Sequence, residues 1–144
     1  MRTLLTLLLL AATVACTKPE TPAPQPAEET PKETGLERIA EPDPSKYPRI
    51  HELEKWKNPQ LVIREDGIGL VDLANHEIHI LTQEQIPAEL ATLPLDEWPY
   101  GRVVLVSQAT PKDASEQTKA KLRENRGLLL ATLKELQVKA FEAP

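Results

Sequence analysis

Residues 101–108, GRVVLVSQ, place four consecutive apolar side chains, Val103 to Val106, between residues that favour turns. A strand with one wet face alternates apolar and polar residues. This run does not, and it predicts a strand buried on both sides. Immediately downstream, Thr110-Pro111 with Asp113 carries the signals of a helix start: a capping hydroxyl, a proline in the first helical position and an acid in the first turn. Ala114, Thr118, Leu122, Leu129, Leu133 and Leu136 then repeat at helical spacing, and Gly127 predicts a kink or break among them. The segment QVKAF, 137–141, closes as a short strand. Strand, helix and strand in this order pair in parallel through a crossover.

Upstream, LVIRED at 61–66 alternates and reads as a strand, with Leu61 and Ile63 on one face. Asp66-Gly67 predicts a tight hairpin turn, because glycine takes the positive φ such turns need, and the chain returns as IGLVDL. Asn75-His76 marks a second turn before a short strand in which Ile78 and Ile80 alternate with Glu77 and His79. Thr82 to Gln85 has the spacing of a capping box, and Ile86, Leu90 and Leu93 follow on one helical face until Pro94 ends it. YPRIHELEKWKN, 47–58, predicts a short amphipathic helix through Ile50, Leu53 and Trp56, closed by Asn58-Pro59. Together these elements predict a two-layer α+β domain over 47–144, with helices packed on one face of a small mixed sheet.

The residues before this domain are of another kind. From 17 to 46 the chain holds seven of its fourteen prolines and seven acids, with Leu36 and Ile39 the only large apolar residues. Such a composition does not bury enough surface to offset ordering, and residues 16–46 read as an extended, disordered Pro/Glu-rich tether. Residues 3–15 carry no charge and are mostly apolar, but thirteen residues of helix span only about 20 Å, short of a hydrocarbon core of about 30 Å. With Arg2 before it and Thr13-Val14-Ala15 at its end, the stretch 1–15 has the three parts of an export signal. Cleavage after Ala15 would leave Cys16, the only cysteine, as the first residue of the mature chain.

Val14, Ala15 and Cys16 resemble the lipobox of bacterial lipoproteins, whose cysteine is acylated and becomes residue one; Thr13 stands where that family usually has leucine. The resemblance implies a lipid-anchored protein of the cell envelope, facing the periplasm. The acyl chains would be palmitate-like membrane anchors, and lipidation would remove the lone exported thiol. Thr17 after the cysteine is no acidic retention signal, and by the same resemblance the outer membrane is slightly favoured.

A second resemblance rests on LVIREDGIGLV at 61–71, ILTQEQIPAELATL at 80–93, RVVLVSQAT at 102–110 and LLLATLKELQVKAF at 128–141. In order and pattern these are similar to the periplasmic domain of the ExbD/TolR biopolymer-transport family. That resemblance implies a non-catalytic interaction domain, with envelope proteins or a second copy as partners. It carries over no energy coupling, which in that family needs an aspartate within a transmembrane helix.

No cofactor is expected. The net charge of −5 and the scattered bases exclude nucleic acid as a partner, because binding it needs a concentrated basic face. Lys119, Lys121, Arg123 and Arg126 are interleaved with acids and read as solvated helix surface. His76 and His79 are weak metal candidates, since three residues apart on a strand they face opposite sides and would need Asp72 or His51 as a further ligand. Trp98 and Tyr100, flanking Pro99, are the candidate contact surface, set against packing of the same rings in the core. Ser45, Ser107 and Ser115 have no histidine and acid beside them in sequence, and no enzyme is expected. The alternative function is a periplasmic carrier of a small apolar or glycan ligand, which requires a closed pocket of at least about 300 Å³.

Overall fold

The computed structural model describes residues 35–143; the export signal, Cys16 and the tether up to residue 34 lie outside the described residues. The apolar run Val103 to Val106 begins strand β4, Val103–Gln108, and these four residues are buried. Around it the chain forms β1 (Gln60–Arg64), β2 (Gly67–Val71), β3 (Ile78–Leu81), α1 (Ile86–Thr92), α2 (Glu116–Glu135) and β5 (Lys139–Glu142). The five strands make one mixed sheet in the order β3-β2-β1-β4-β5. β1 pairs antiparallel with β2 and parallel with β4, and β4 pairs parallel with β5 across the α2 crossover. The fold is α+β, with both helices packed on one face.

That face is closed by Leu61, Ile63, Ile68, Leu70, Val104 and Val106 against Ile86 and Leu90 of α1 and Leu122, Leu129 and Leu133 of α2. Among the described residues, the opposite face is covered only at its β4 end. There Trp56, Tyr100, Val103 and Leu105 form a second cluster, with Tyr47, Leu53 and Phe141 packed on it. Trp56 lies 5.1 Å from Tyr100 edge-on and 5.2 Å from Phe141 in a stacked arrangement. The predicted helix over 47–58 is instead a 3-10 helix, Ile50–Lys55, with Glu52 off helical geometry and Ile50 58% exposed. A spacing of three is the 3-10 repeat, so the apolar pattern is met by the tighter helix.

Three further expectations shift. The hairpin turn is Glu65-Asp66, because Arg64 pairs with Gly67; Gly67 opens β2 at φ 144 rather than sitting inside the turn. Helix α2 starts at Glu116, not at Pro111, because the Ser115 side chain accepts the Thr118 amide at 3.0 Å. Gly127 neither kinks nor breaks it, since α2 is continuous through a solvent-facing glycine. The burial of five α2 side chains outweighs a propensity cost of about 1 kcal/mol. The Thr82–Gln85 box closes by its return half, with Gln85 Oε1 accepting the Thr82 amide at 2.8 Å, and α1 follows.

The domain also begins earlier than residue 47. Leu36 and Ile39, placed by composition in the tether, are 0% and 3% exposed in the main core. The strap they anchor is held by the Asp43 amide to the Tyr100 carbonyl (2.9 Å), the Arg102 amide to the Ala40 carbonyl (2.8 Å), and Arg38 Nη2 donating to Ala91 and Leu93 carbonyls at 2.7 Å each. Gly101, at φ 81, lies so close beneath it that a Cβ would run into the Glu41 carbonyl. Two apolar anchors and backbone bonds suffice to order these residues despite their proline and acid content.

Candidate interaction surface

Trp98 and Tyr100 do not form an exposed platform. They are 4% and 8% exposed and enter different clusters, Trp98 beneath the helices and Tyr100 among the aromatic rings on the other face. Tyr100 also donates its hydroxyl to the Lys55 carbonyl at 3.3 Å. A turn at 98–101, closed by the Gly101 amide to the Trp98 carbonyl at 2.9 Å, separates the two rings, and they enter clusters on opposite sides of the sheet. Packing is their role, and they provide no contact surface.

The metal candidates are separated by local structure. His76 occupies a loop at φ 61, its amide bonded to the Asp72 carbonyl at 2.8 Å. That loop is folded by side-chain to backbone bonds, with Asp72 accepting the Ala74 amide at 2.7 Å and Asn75 accepting the Glu77 amide at 2.9 Å. His79 stands exposed on β3. Among the described residues no three His, Cys, Asp or Glu side chains are grouped to hold a metal ion. Ser45 bonds Asp43 at 2.6 Å and Ser115 caps α2, so both hydroxyls are engaged locally. Three of the five bases of α2 pair with acids: Lys119 with Glu116 at 2.8 Å, Lys121 with Glu65 at 4.0 Å, and Arg126 with Glu142. Exposed pairs of this kind contribute about 0–1 kcal/mol each and leave no free basic patch in this stretch.

One recess, about 260 Å³, lies between the β3 end of the sheet and the helices, with Ile68 and Leu81 on one side and Ile86, Leu128 and Leu129 on the other. The largest depression, about 700 Å³, lies beside the hairpin tip and is lined by Arg64, Glu65, Asp66, Thr110 and Lys121 among others. A recess of about 210 Å³ between Leu70, Asp72, Leu93 and Glu97 holds one perturbed acid. Partial burial, with Asp96 and Asp72 nearby, raises the Glu97 carboxyl above its ordinary range. At the other end of the molecule, the hydrogen bond from Arg64 lowers Asp66. Neither acid is paired with a nucleophile.

The two edges of the sheet differ. The outer strand β5 carries Lys139 and Glu142, and Arg126 reaches over to Glu142. Charges along an edge oppose the addition of a further strand. β3 carries none: its four residues are Ile78, His79, Ile80 and Leu81, with Ile78 42% and Ile80 43% exposed. Both isoleucines lie on the face away from the helices, over Gly67 and Gly69 of β2. A Cβ on Gly69 would strike the Ile78 side chain, and one on Gly67 would come within 3.1 Å of Ile80. The glycine floor lets the isoleucines lie flat, and no 3-10 segment covers this end of the sheet as it does at β4.

The register shows which backbone groups are free along this edge. The Asp72 amide bonds the Glu77 carbonyl at 2.8 Å, one step outside the pair Val71↔Ile78. In an antiparallel ladder bonded and non-bonded pairs alternate. Leu70↔His79 and Ile68↔Leu81 are therefore bonded pairs, whereas Ile78 and Ile80 direct their N–H and C=O groups away from β2. Sequence reasoning places β3 but not its exposed edge, because that depends on how many strands lie outside it.

Fold and surface together define a small α+β domain with one apolar, uncharged strand edge and no assembled catalytic group among the described residues. No family model, no curated protein and no solved structure matches this chain.

Proposed function

We propose that this chain is a lipid-anchored protein of the cell envelope, acylated on Cys16, whose domain is a non-catalytic protein-interaction module facing the periplasm. The outer membrane is the favoured site of anchoring. The observation that carries the interaction reading is the β3 edge: an uncharged strand with Ile78 and Ile80 at 42% and 43% exposure and outward backbone groups. Such an edge binds by accepting an added strand, with backbone bonds giving affinity and the flanking side chains selecting the partner. The order of hairpin, short helix, buried strand, long helix and last strand also supports the kinship with ExbD/TolR periplasmic domains that we propose. In the reading as a ligand carrier, an enclosed pocket would lie between sheet and helices. Over β1 that space is occupied by fully buried Leu61, Ile63, Ile86, Leu90 and Leu129, and the recess at its β3 end, about 260 Å³, is smaller than a carrier requires.

Photo-crosslinking in intact cells tests the reading. A photoreactive residue at Ile78 or Ile80 is expected to give defined adducts, and one at Ala140 or Glu142 on β5 none. Equal adducts from both edges, or none from β3, would remove the β3 edge as the contact surface.

A further inference from the structure

Resting on the β3 edge as the contact surface, we infer that it takes an extended segment of another protein carrying a lysine or arginine and, two residues away on the same face, a large apolar side chain. Two recesses flank the helix side of β3. His79 and Leu81 stand on that side, because they pair with Leu70 and Ile68, whose side chains lie in the core beneath the helices. His79 lines the recess of about 210 Å³ together with Leu70, Leu93, Asp72 and Glu97. Leu81 lines the recess of about 260 Å³ together with Ile68, Ile86, Leu128 and Leu129. The first is acidic at its rim, and the second is walled mainly by leucine and isoleucine. Among the described residues no ion pair engages Asp72, Asp96 or Glu97. Partial burial and the charges of Asp96 and Asp72 raise the Glu97 carboxyl, a strain that a cation in the recess relieves.

The two recesses are spaced as side chains on a strand are. Ile78 and Ile80 direct their N–H and C=O groups outward, so an added antiparallel strand bonds to these two residues. Its residue opposite His79 then points to the helix side in a non-bonded pair, where Cα atoms approach to about 4.5 Å and side chains are closest. The next residue on that side stands opposite Leu81, about 7 Å along. A lysine or arginine in the first position reaches over His79 toward Glu97 and Asp72, with its methylenes on Leu70 and Leu93. An apolar residue in the second meets Leu128, 42% exposed, at the mouth of the other recess. The residues opposite Ile80 and Ile78 fall on the open face, where β-branched side chains fit. In the antiparallel sense the segment therefore reads apolar, β-branched, basic, β-branched. A second copy of β3 does not match this pattern, because it carries no lysine or arginine.

A fluorescent peptide with leucine, valine, arginine and valine in that order, flanked by threonines, tests the pattern by anisotropy against the full chain purified in detergent at low salt. Replacing the peptide's arginine by glutamate is expected to weaken binding about tenfold, and replacing its leucine by threonine about fivefold. Glu97→Gln is expected to reduce the preference for arginine over glutamate to about threefold, since Asp72 and Asp96 remain. Glu97→Lys is expected to reverse it. A thermal melt of each variant reports whether the fold is kept. Should Glu97→Lys not fold, Glu97→Gln decides alone, because it keeps the shape of the side chain. Equal binding of the arginine and glutamate peptides, binding of neither, or a preference unchanged by Glu97→Gln overturns the inference. Photo-adducts from Ile78 or Ile80 in cells, without a preference for the arginine peptide, overturn the pattern and leave the β3 contact reading standing. Absence of both overturns the two together.

Discussion

Replacing Asn58 by alanine is expected to cost about 3 kcal/mol of unfolding free energy, with a correspondingly lower urea midpoint and an unchanged denaturant slope. The side chain is 0% exposed. Its amide donates to the Gly101 and Val103 carbonyls at 2.7 Å each, and its oxygen accepts the Tyr100 amide at 2.9 Å. Those three backbone groups lie at the mouth of β4, before its ladder with β1 begins at Leu105. Alanine would leave the Tyr100 amide and the Val103 carbonyl without this partner, and the Gly101 carbonyl with the Val103 amide alone, at about 1–3 kcal/mol for each unpaired group that water does not reach. Asn58→Asp is a sharper version. It keeps the acceptor for Tyr100 but turns a carboxylate toward two carbonyl oxygens. It should be worse than alanine at neutral pH and recover as the carboxyl is protonated. Full stability in either variant would mean that the segment 98–103 holds its shape without this staple.

The second large effect is expected at the strap. Leu36→Ala and Ile39→Ala each remove a side chain buried in the main core, at 0% and 3% exposure, and each should cost about 2–4 kcal/mol. Domains of this size are stable by about 5–15 kcal/mol, so the double variant should be close to unfolding. The effect is more than a cavity. When the strap leaves, the bonds from Asp43 to Tyr100 and from Arg102 to Ala40 go with it, and Arg38 loses its hold on the end of α1. Trypsin should therefore cut the single variants at Arg38 well before the rest of the domain, whereas the unsubstituted chain resists there. Equal cleavage of both would show that the strap contributes little. Gly101→Ala attacks the same contact from the other side, through its φ of 81 and the Glu41 carbonyl above it.

Much of the fold is legible because the signals for it are local. Val103 to Val106 announce a central strand whatever surrounds them, and Leu122, Leu129 and Leu133 show the face that α2 buries. Element boundaries are less legible, because competing caps lie within a few residues of one another. Thr110-Pro111 and Ser115 both satisfy the pattern of a helix start, and only the bond from Thr118 to Ser115 selects the second. The end of α2 carries no glycine at all. Gln137 takes φ 56 there, and the Val138 amide returns to the Leu133 carbonyl at 2.8 Å.

Two features could not be read from a composition average. The strap's apolar anchors are Leu36 and Ile39, and two apolar residues among prolines and acids do not alter the mean of a thirty-residue window. Asn58 looks like a helix stop before Pro59, and its three long-range bonds reach residues more than forty positions away. The contact surface inverts the expectation for a similar reason. Trp98 and Tyr100 look like exposed recognition residues but have a core on each side of them. Ile78 and Ile80 look like core but lie on the last strand of the sheet, over glycines and about two-fifths exposed among the described residues. Which strand is last is a property of the whole topology.

The proposed role of this domain, an interaction surface held at a membrane, depends on the lipid on Cys16. Labelled fatty acid supplied to growing cells tests that claim most directly. The account predicts label on the full chain, recovery of that chain with membranes, and loss of both in Cys16→Ser. A Cys16→Ser chain that still takes up label and still fractionates with membranes would contradict it.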